Sequence, residues 1–168
     1  TNVSIVPGTT VVAPCDAMET YKATKALLFE VKGAKYLRFA REATAVVTRE
    51  KTPFVIGKAN VFRLRSVKEQ MIDAFECVLA DDYVGERETV AIIACGPMVP
   101  EALRAAWILK EERGWETRVV NLHTLKPLDE TAVLEAASGC EIVVTAEEHQ
   151  IGGLANPVAA AILRGLGG

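Results

Sequence analysis

The sequence predicts an α/β fold built on a mostly parallel, doubly wound sheet with helices on both faces, and three features carry that prediction. From Thr89 onward, strand-length apolar runs alternate with helical patterns: Thr89–Cys95, Thr117–Leu122 and Glu141–Thr145. These runs are continuously apolar, as expected of strands covered on both faces. The loops between them are short and carry glycine, proline or a capping acid, so each strand passes quickly into a helix that crosses back over the sheet. Right-handed crossovers then distribute the helices to both faces.

Taken in order, Thr10–Ala13 reads as a strand that turns at Pro14 into a helix. Asp16 supplies the N-cap and Glu19, three residues on, completes a capping box. The helix runs to about Val31 with Met18, Tyr21, Leu28 and Phe29 on one side. Gly33 stops it, and Lys35–Phe39 forms the next strand. This β-α-β unit begins abruptly, as if earlier strands were missing.

Arg49–Pro53 is polar, ends in proline and marks a boundary between a tail (1–48) and a domain (49–168). Phe54–Ile56 and Asn60–Phe62 flank Gly57 as a hairpin or bulged pair. Ser66 and Glu69 form a second capping box, heading an inserted helix over 66–80 on which Val67, Met71, Ala74, Phe75, Val78 and Leu79 share a face. After strand Thr89–Cys95, Gly96–Pro97 turns into a helix with Pro100 near its first position. Leu103, Ala106, Trp107 and Leu109 or Lys110 point inward, Lys110 and Arg113 suit its negative end, and Gly114 ends it. Asp129 caps the following helix, with Leu128 and Val133 as a hydrophobic staple. A last helix covers about Pro157–Leu163.

Composition excludes several classes of function. A net charge of −3 with interspersed signs offers no basic stripe for nucleic acid and no polybasic helix for anionic lipid. The longest apolar runs are strand-length, so no membrane span is expected. The first residues lack the charged and apolar regions of a signal peptide. Cys15, Cys77, Cys95 and Cys140 are widely spaced in apolar surroundings, which favours reduced, mostly buried thiols and a cytoplasmic location over disulfides.

In a sheet of this kind, ligands meet the carboxyl ends of the strands. Those ends carry Arg38 to Arg41, Gly96–Pro97, Asn121 to Thr124 and Glu147 to His149. Arg38 and Arg41 can present guanidinium groups to a phosphate or carboxylate, or can pair with Glu42 or Glu50 at the surface; both readings stand. Glu147 and Glu148 are adjacent and point to opposite sides in extended chain, so contact with backbone or a neighbouring subunit is favoured over paired acid–base chemistry. His123 and His149 end consecutive strands and could share a rim. Without a third ligand they make a poor metal site, so hydrogen-bonded structural roles are expected and no metal site is assigned. Gly152–Gly153 could admit a phosphate to a helix N-terminus. No companion G-x-G-x-x-G or P-loop lysine supports that, and close packing is the favoured reason for the glycines. A hydrolase elbow is absent from the sequence.

Val11–Asp16 with Glu19, followed by Tyr36–Arg41, resembles the end of the transketolase pyrimidine-binding domain. Phe54–Lys58, Ala91–Ala102, Arg118–Leu122 with Lys126–Asp129, and Val144–His149 with Gly152–Gly153 resemble the transketolase C-terminal domain, in family order. The resemblance implies two-carbon ketol transfer between sugar phosphates with thiamine diphosphate and Mg²⁺ in a complete homodimeric enzyme. By position, Arg41 matches the arginine that contacts substrate phosphate; Arg38, His123, Glu148 and His149 are rim residues without an assigned catalytic role. The G-D-G metal motif and the activating glutamate belong to segments absent from this sequence, so the chain alone is expected to bind no cofactor and to be inactive. The family's last strand is expected to be missing as well. A 2-oxoacid dehydrogenase E1 β-subunit or a deoxyxylulose-phosphate synthase portion is the alternative within the superfamily. A non-catalytic module binding a small anion or partner is the alternative outside it. Glu-Glu-His before Gly-Gly leans toward transketolase.

Overall fold

The computed structural model describes residues 2–64, 77–79, 88–150 and 152–166. A single 3-10 turn, Asn2–Ile5, precedes β1 (Thr9–Val12), α1 (Ala17–Phe29), β2 (Ala34–Leu37), β3 (Asn60–Leu64) and β4 (Cys77–Leu79). The chain continues through β5 (Val90–Ala94), α2 (Met98–Arg113), β6 (Thr117–Asn121), β7 (Thr124–Lys126), α3 (Glu130–Gly139), β8 (Ile142–Ala146) and α4 (Ala155–Leu166).

The strands form two sheets, ordered β2-β1-β7 and β4-β3-β6-β5-β8. In the larger sheet β6, β5 and β8 are parallel, with Ile92 level with Val119 on one side and Val144 on the other. β3 runs antiparallel to β6, and β4 antiparallel to β3. β1 and β2 are parallel in unbroken register, whereas β7 meets β1 antiparallel across an irregularity at Val11/Val12.

Alternate residues of the continuous apolar strands serve the two faces. Ala91, Ile93, Cys95, Val120 and Leu122 pack against Val133 and Ala136 of α3 and Val158 and Ala161 of α4. Val90, Ile92, Ala94 and Val119 pack on the opposite face against Val99, Ala102, Leu103 and Ala106 of α2. The double winding therefore follows from residue alternation within runs that look uniform. Each fully buried Val, Leu or Ile contributes about 1.5–3 kcal/mol of transfer free energy.

Several expectations need correction. Residues 54–56 are not a strand: the Lys58 amide closes a turn onto Val55, and Gly57 at φ +81° lets the chain pass close to Pro127. Cys77–Leu79, assigned to a helix over 66–80, is instead a strand pairing with Phe62–Leu64; the remainder of that helix lies outside the described residues. On α1 the inward face is Glu19, Ala23, Ala26 and Leu27, a run at i, i+4, i+7 and i+8. Tyr21, Leu28 and Phe29 are exposed. Trp107 likewise lies at the surface, and α2 uses Val99, Pro100, Ala102, Leu103 and Ala106 inward. β7 had no clear signal in three residues.

Candidate functional site

The carboxyl ends of the strands are tied together by backbone hydrogen bonds. The Ala13 amide donates to the His123 carbonyl at 2.8 Å, and the Gly96 amide to the Ala13 carbonyl at 3.1 Å. Leu122 donates to Ala94 at 2.9 Å, and the Arg38 amide to Val12 at 2.9 Å. The end of the small sheet is thereby fastened to the rim of the large one, with the segments bearing Arg38, Arg41, Glu147, Glu148 and His149 close to it.

The two arginines differ in use. Arg38 is half-buried at the end of β2, and its Nη2 donates to the Glu148 carbonyl, bridging the rims of the two sheets. Arg41, three residues on, is exposed in a bend. Among the described residues neither Glu42 nor Glu50 pairs with it.

Asp16 does more than cap α1. Its carboxylate is 3% exposed and accepts from the Glu19 amide at 2.8 Å, the Val47 amide at 2.8 Å, the Thr48 amide at 2.6 Å and the Thr48 hydroxyl at 2.8 Å. Residues 39–44 and the start of α1 line an open cleft of about 310 Å³, to which Pro14, Cys15, Asp16, Phe39, Ala40 and Glu42 contribute. Nothing in the local pattern around Asp16 signals the partners 31 and 32 residues away.

The capping box is also modified. Glu19 reaches past Asp16 and accepts from the Cys15 amide at 2.7 Å, while Asn121 Nδ2 of β6 donates to its other oxygen at 2.7 Å. Glu19 is 2% exposed, and burial, reinforced by the nearby Asp16 charge, pushes its pKa up to about 7 against the lowering effect of its hydrogen bonds. Burial and the same carboxylates raise the Cys15 thiol. Asn121 Oδ1 is buried without a hydrogen-bond partner among the described residues. Cys15, Cys95 and Cys140 are free thiols, and burial together with Glu147 raises Cys95 to about 12.

After β8, Glu147 turns its carboxylate onto the Leu154 amide at the start of α4. It fills the space a side chain at Gly153 would need. A Cβ at Gly153 would thus meet a side chain rather than backbone, and the anion at this helix N-terminus is the protein's own. Glu148 is exposed and contributes its carbonyl to Arg38. His149 is exposed; its Nδ1 accepts from the Gln150 amide at 2.7 Å, and its ring borders a cavity of about 400 Å³ with Glu147, Gly152, Leu154 and Lys126.

His123 does not share that rim. It is fully buried, stacked on Phe54 with ring centroids 4.2 Å apart, and its Nδ1 lies 3.0 Å from the Thr124 hydroxyl. Burial lowers its pKa to about 4, opposed in part by Asp129, and Nε2 has no hydrogen-bond partner among the described residues. Its backbone reaches the strand end, but the apolar linker residue Phe54 closes over its side chain.

Fold and rim define a doubly wound α/β protein whose charged side chains gather where the strands end. The chain belongs to the transketolase family: the family model described as transketolase, C-terminal domain, matches residues 82–167. It is 34% identical over 160 residues to a transketolase C-terminal section of Methanocaldococcus jannaschii, covering 94% of this chain and 42% of that protein. It is 35% identical over 155 residues to a 6-deoxy-6-sulfo-D-fructose transketolase subunit of a Clostridium species, covering 92% of this chain and 41% of that subunit. A solved structure titled as a split-gene transketolase in an inactive β4 tetramer superposes with a TM-score of 0.78 at 31% identity, covering 97% of this chain and 47% of that one. The chain spans less than half the length of these relatives.

Proposed function

We propose that this chain is the C-terminal portion of a thiamine-diphosphate-dependent transketolase, in which it supports assembly and contributes Arg41 to the binding of sugar phosphates. Residues 1–48 act as the tail of a pyrimidine-binding domain and 49–168 as the C-terminal domain. The observation that carries this reading is the placement of Arg41: an exposed guanidinium beside a rim of tied strand ends, without an ion pair among the described residues, in a chain of this family. Guanidinium suits the planar, bidentate recognition of phosphate oxygens.

The residues described here do not fit the diphosphate and its metal. Among them no group of three or more His, Cys, Asp or Glu side chains could hold a metal ion. The carboxylates of Asp16, Glu19 and Glu147 are engaged by backbone and side-chain donors. In this reading thiamine diphosphate and Mg²⁺ are held by complementary segments of the complete enzyme, and this chain's own work is binding and orientation. Dimerisation is part of the same proposal, supported by the exposed apolar side chains of Tyr21, Leu28 and Phe29 on α1. Among the described residues no helix is long and apolar enough to cross a membrane, and a cytoplasmic location is proposed.

The test is Arg41→Ala in the assembled enzyme. Loss of a charge-assisted contact costs about 1.5–3 kcal/mol, or about ten- to a hundredfold in kcat/KM for phosphorylated sugars. Unphosphorylated sugars should be far less affected. Equal losses on both would make Arg41 structural and remove this assignment.

A further inference from the structure

We propose that Asp16 is a positioning residue for Arg41, acting through the arch of chain from residue 39 to residue 48; the inference rests on the phosphate-binding role proposed for Arg41. Two anchors hold this arch. At its near end Arg38 is fastened by its amide to Val12 and by its guanidinium to the Glu148 carbonyl. At its far end Val47 and Thr48 are fastened to Asp16 by two amides and a hydroxyl, and both residues are buried. Between these anchors the arch has little regular structure, and it lines the open cleft of about 310 Å³ together with Asp16.

Asp16 is the N-cap of α1, whose Ala23 and Leu27 are buried with Val12 of β1, so the carboxylate is mounted at the end of a packed element. The arch cannot borrow rigidity from a helix or strand of its own. Its far end is held by the side chain that collects three of its donors, together with the packing of Val47 in the core. Backbone anchoring of this kind lets an exposed arginine meet a phosphate with its main chain already placed, which reduces the ordering cost of binding.

Asp16→Asn tests the inference, since the amide keeps the shape and loses acceptor capacity. In the assembled enzyme, KM for a pentose phosphate should rise about tenfold, while kcat and KM for the free pentose move less than twofold. The double variant Asp16→Asn/Arg41→Ala should be no worse than Arg41→Ala, because Asp16 has no further effect once Arg41 is gone. Additive losses, or equal losses on both sugars, would overturn the proposal. A failure of Arg41→Ala itself to discriminate the two sugars would instead overturn the proposed role of Arg41. If Asp16→Asn folds poorly, Thr48→Val removes only the hydroxyl bond and should show the same pattern at lower amplitude. Hydrogen exchange of the chain itself supplies a readout independent of turnover. Asp16→Asn should speed exchange at Val47, Thr48 and through 39–46, and unchanged exchange across 39–46 would refute the anchoring.

Discussion

Two buried groups titrate in opposite directions, and their opposition predicts how stability depends on pH. Glu19 has its pKa raised from 4.5 to about 7 by burial. A carboxyl group raised in the folded state favours folding fully below the unfolded value, and that contribution is lost as pH climbs through the folded one. The change spans about two and a half pH units at about 1.4 kcal/mol each, so about 3 kcal/mol is the upper scale. His123 is the mirror case, lowered by burial from 6.5 to about 4. Its contribution is complete above 6.5 and is lost as pH falls toward 4, on the same scale. Between pH 4.5 and 6.5 the two slopes have opposite sign and similar size, so their joint effect there is nearly flat. Glu19→Gln removes one member. Urea denaturation of this variant and the parent chain at half-unit steps from pH 4.5 to 8 should give a stability difference that moves in the variant's favour by up to about 3 kcal/mol as pH rises to 7, then levels off. The starting offset reflects an acceptor lost to the Cys15 amide or Asn121 and leaves the slope intact. A difference that is constant across the whole range would refute the claim that Glu19 titrates near neutrality in the folded chain.

Two further perturbations test the packing around the site. Gly153→Ala should destabilise by about 1 kcal/mol, because the new methyl displaces the Glu147 carboxylate from the Leu154 amide. In a Glu147→Ala background the same change should be neutral or stabilising, and thermal melting of the four variants reads the coupling directly. Glu88→Ala should cost about 3–5 kcal/mol, because Glu88, only 4% exposed, sits between Arg63 and Arg118, whose strands hold them level with each other. A loss below about 1 kcal/mol in chemical denaturation would mean that the guanidinium groups do not depend on Glu88.

The larger sheet was legible because its three parallel strands are long, continuous and followed by capped helices. Asp129 is a case in point: it caps α3 by accepting from the Ala132 amide, as its position before an apolar periodic run implies. The same carboxylate also accepts from the Ala59 amide at 2.9 Å, which no local pattern records. Helix faces were less legible where size and hydrophobicity conflict. Periodicity alone grouped Met18, Tyr21, Leu28 and Phe29 on one side of α1, yet the side that is buried carries Glu19, Ala23, Ala26 and Leu27. Within the candidate site, Arg38 and Arg41 were found as charges at a strand end, but their separate uses depend on where Glu148 arrives from another element. Glu147 carried a weak local signal, an acid shortly before two glycines and a helix start. Asp16 with Thr48 and Glu19 with Asn121 carried none, because those contacts join segments far apart in sequence.

The distribution of acids gives the strongest physical argument for what this chain contributes. Asp16, Glu19, Glu88, Asp129 and Glu147 all spend their carboxylates inside the protein, on amides, an asparagine or guanidinium groups. Glu19 is tuned to about 7, a useful value for moving a proton at neutral pH, but at 2% exposure no substrate can touch it. His123 is tuned away from neutrality and sealed beneath Phe54. Glu19 and His123 are thus both sealed inside the protein, whereas Arg41 is exposed and carries a charge that it does not exchange. This distribution supports the phosphate-binding role proposed for Arg41, because an exposed guanidinium can hold an anion without gaining or losing a proton.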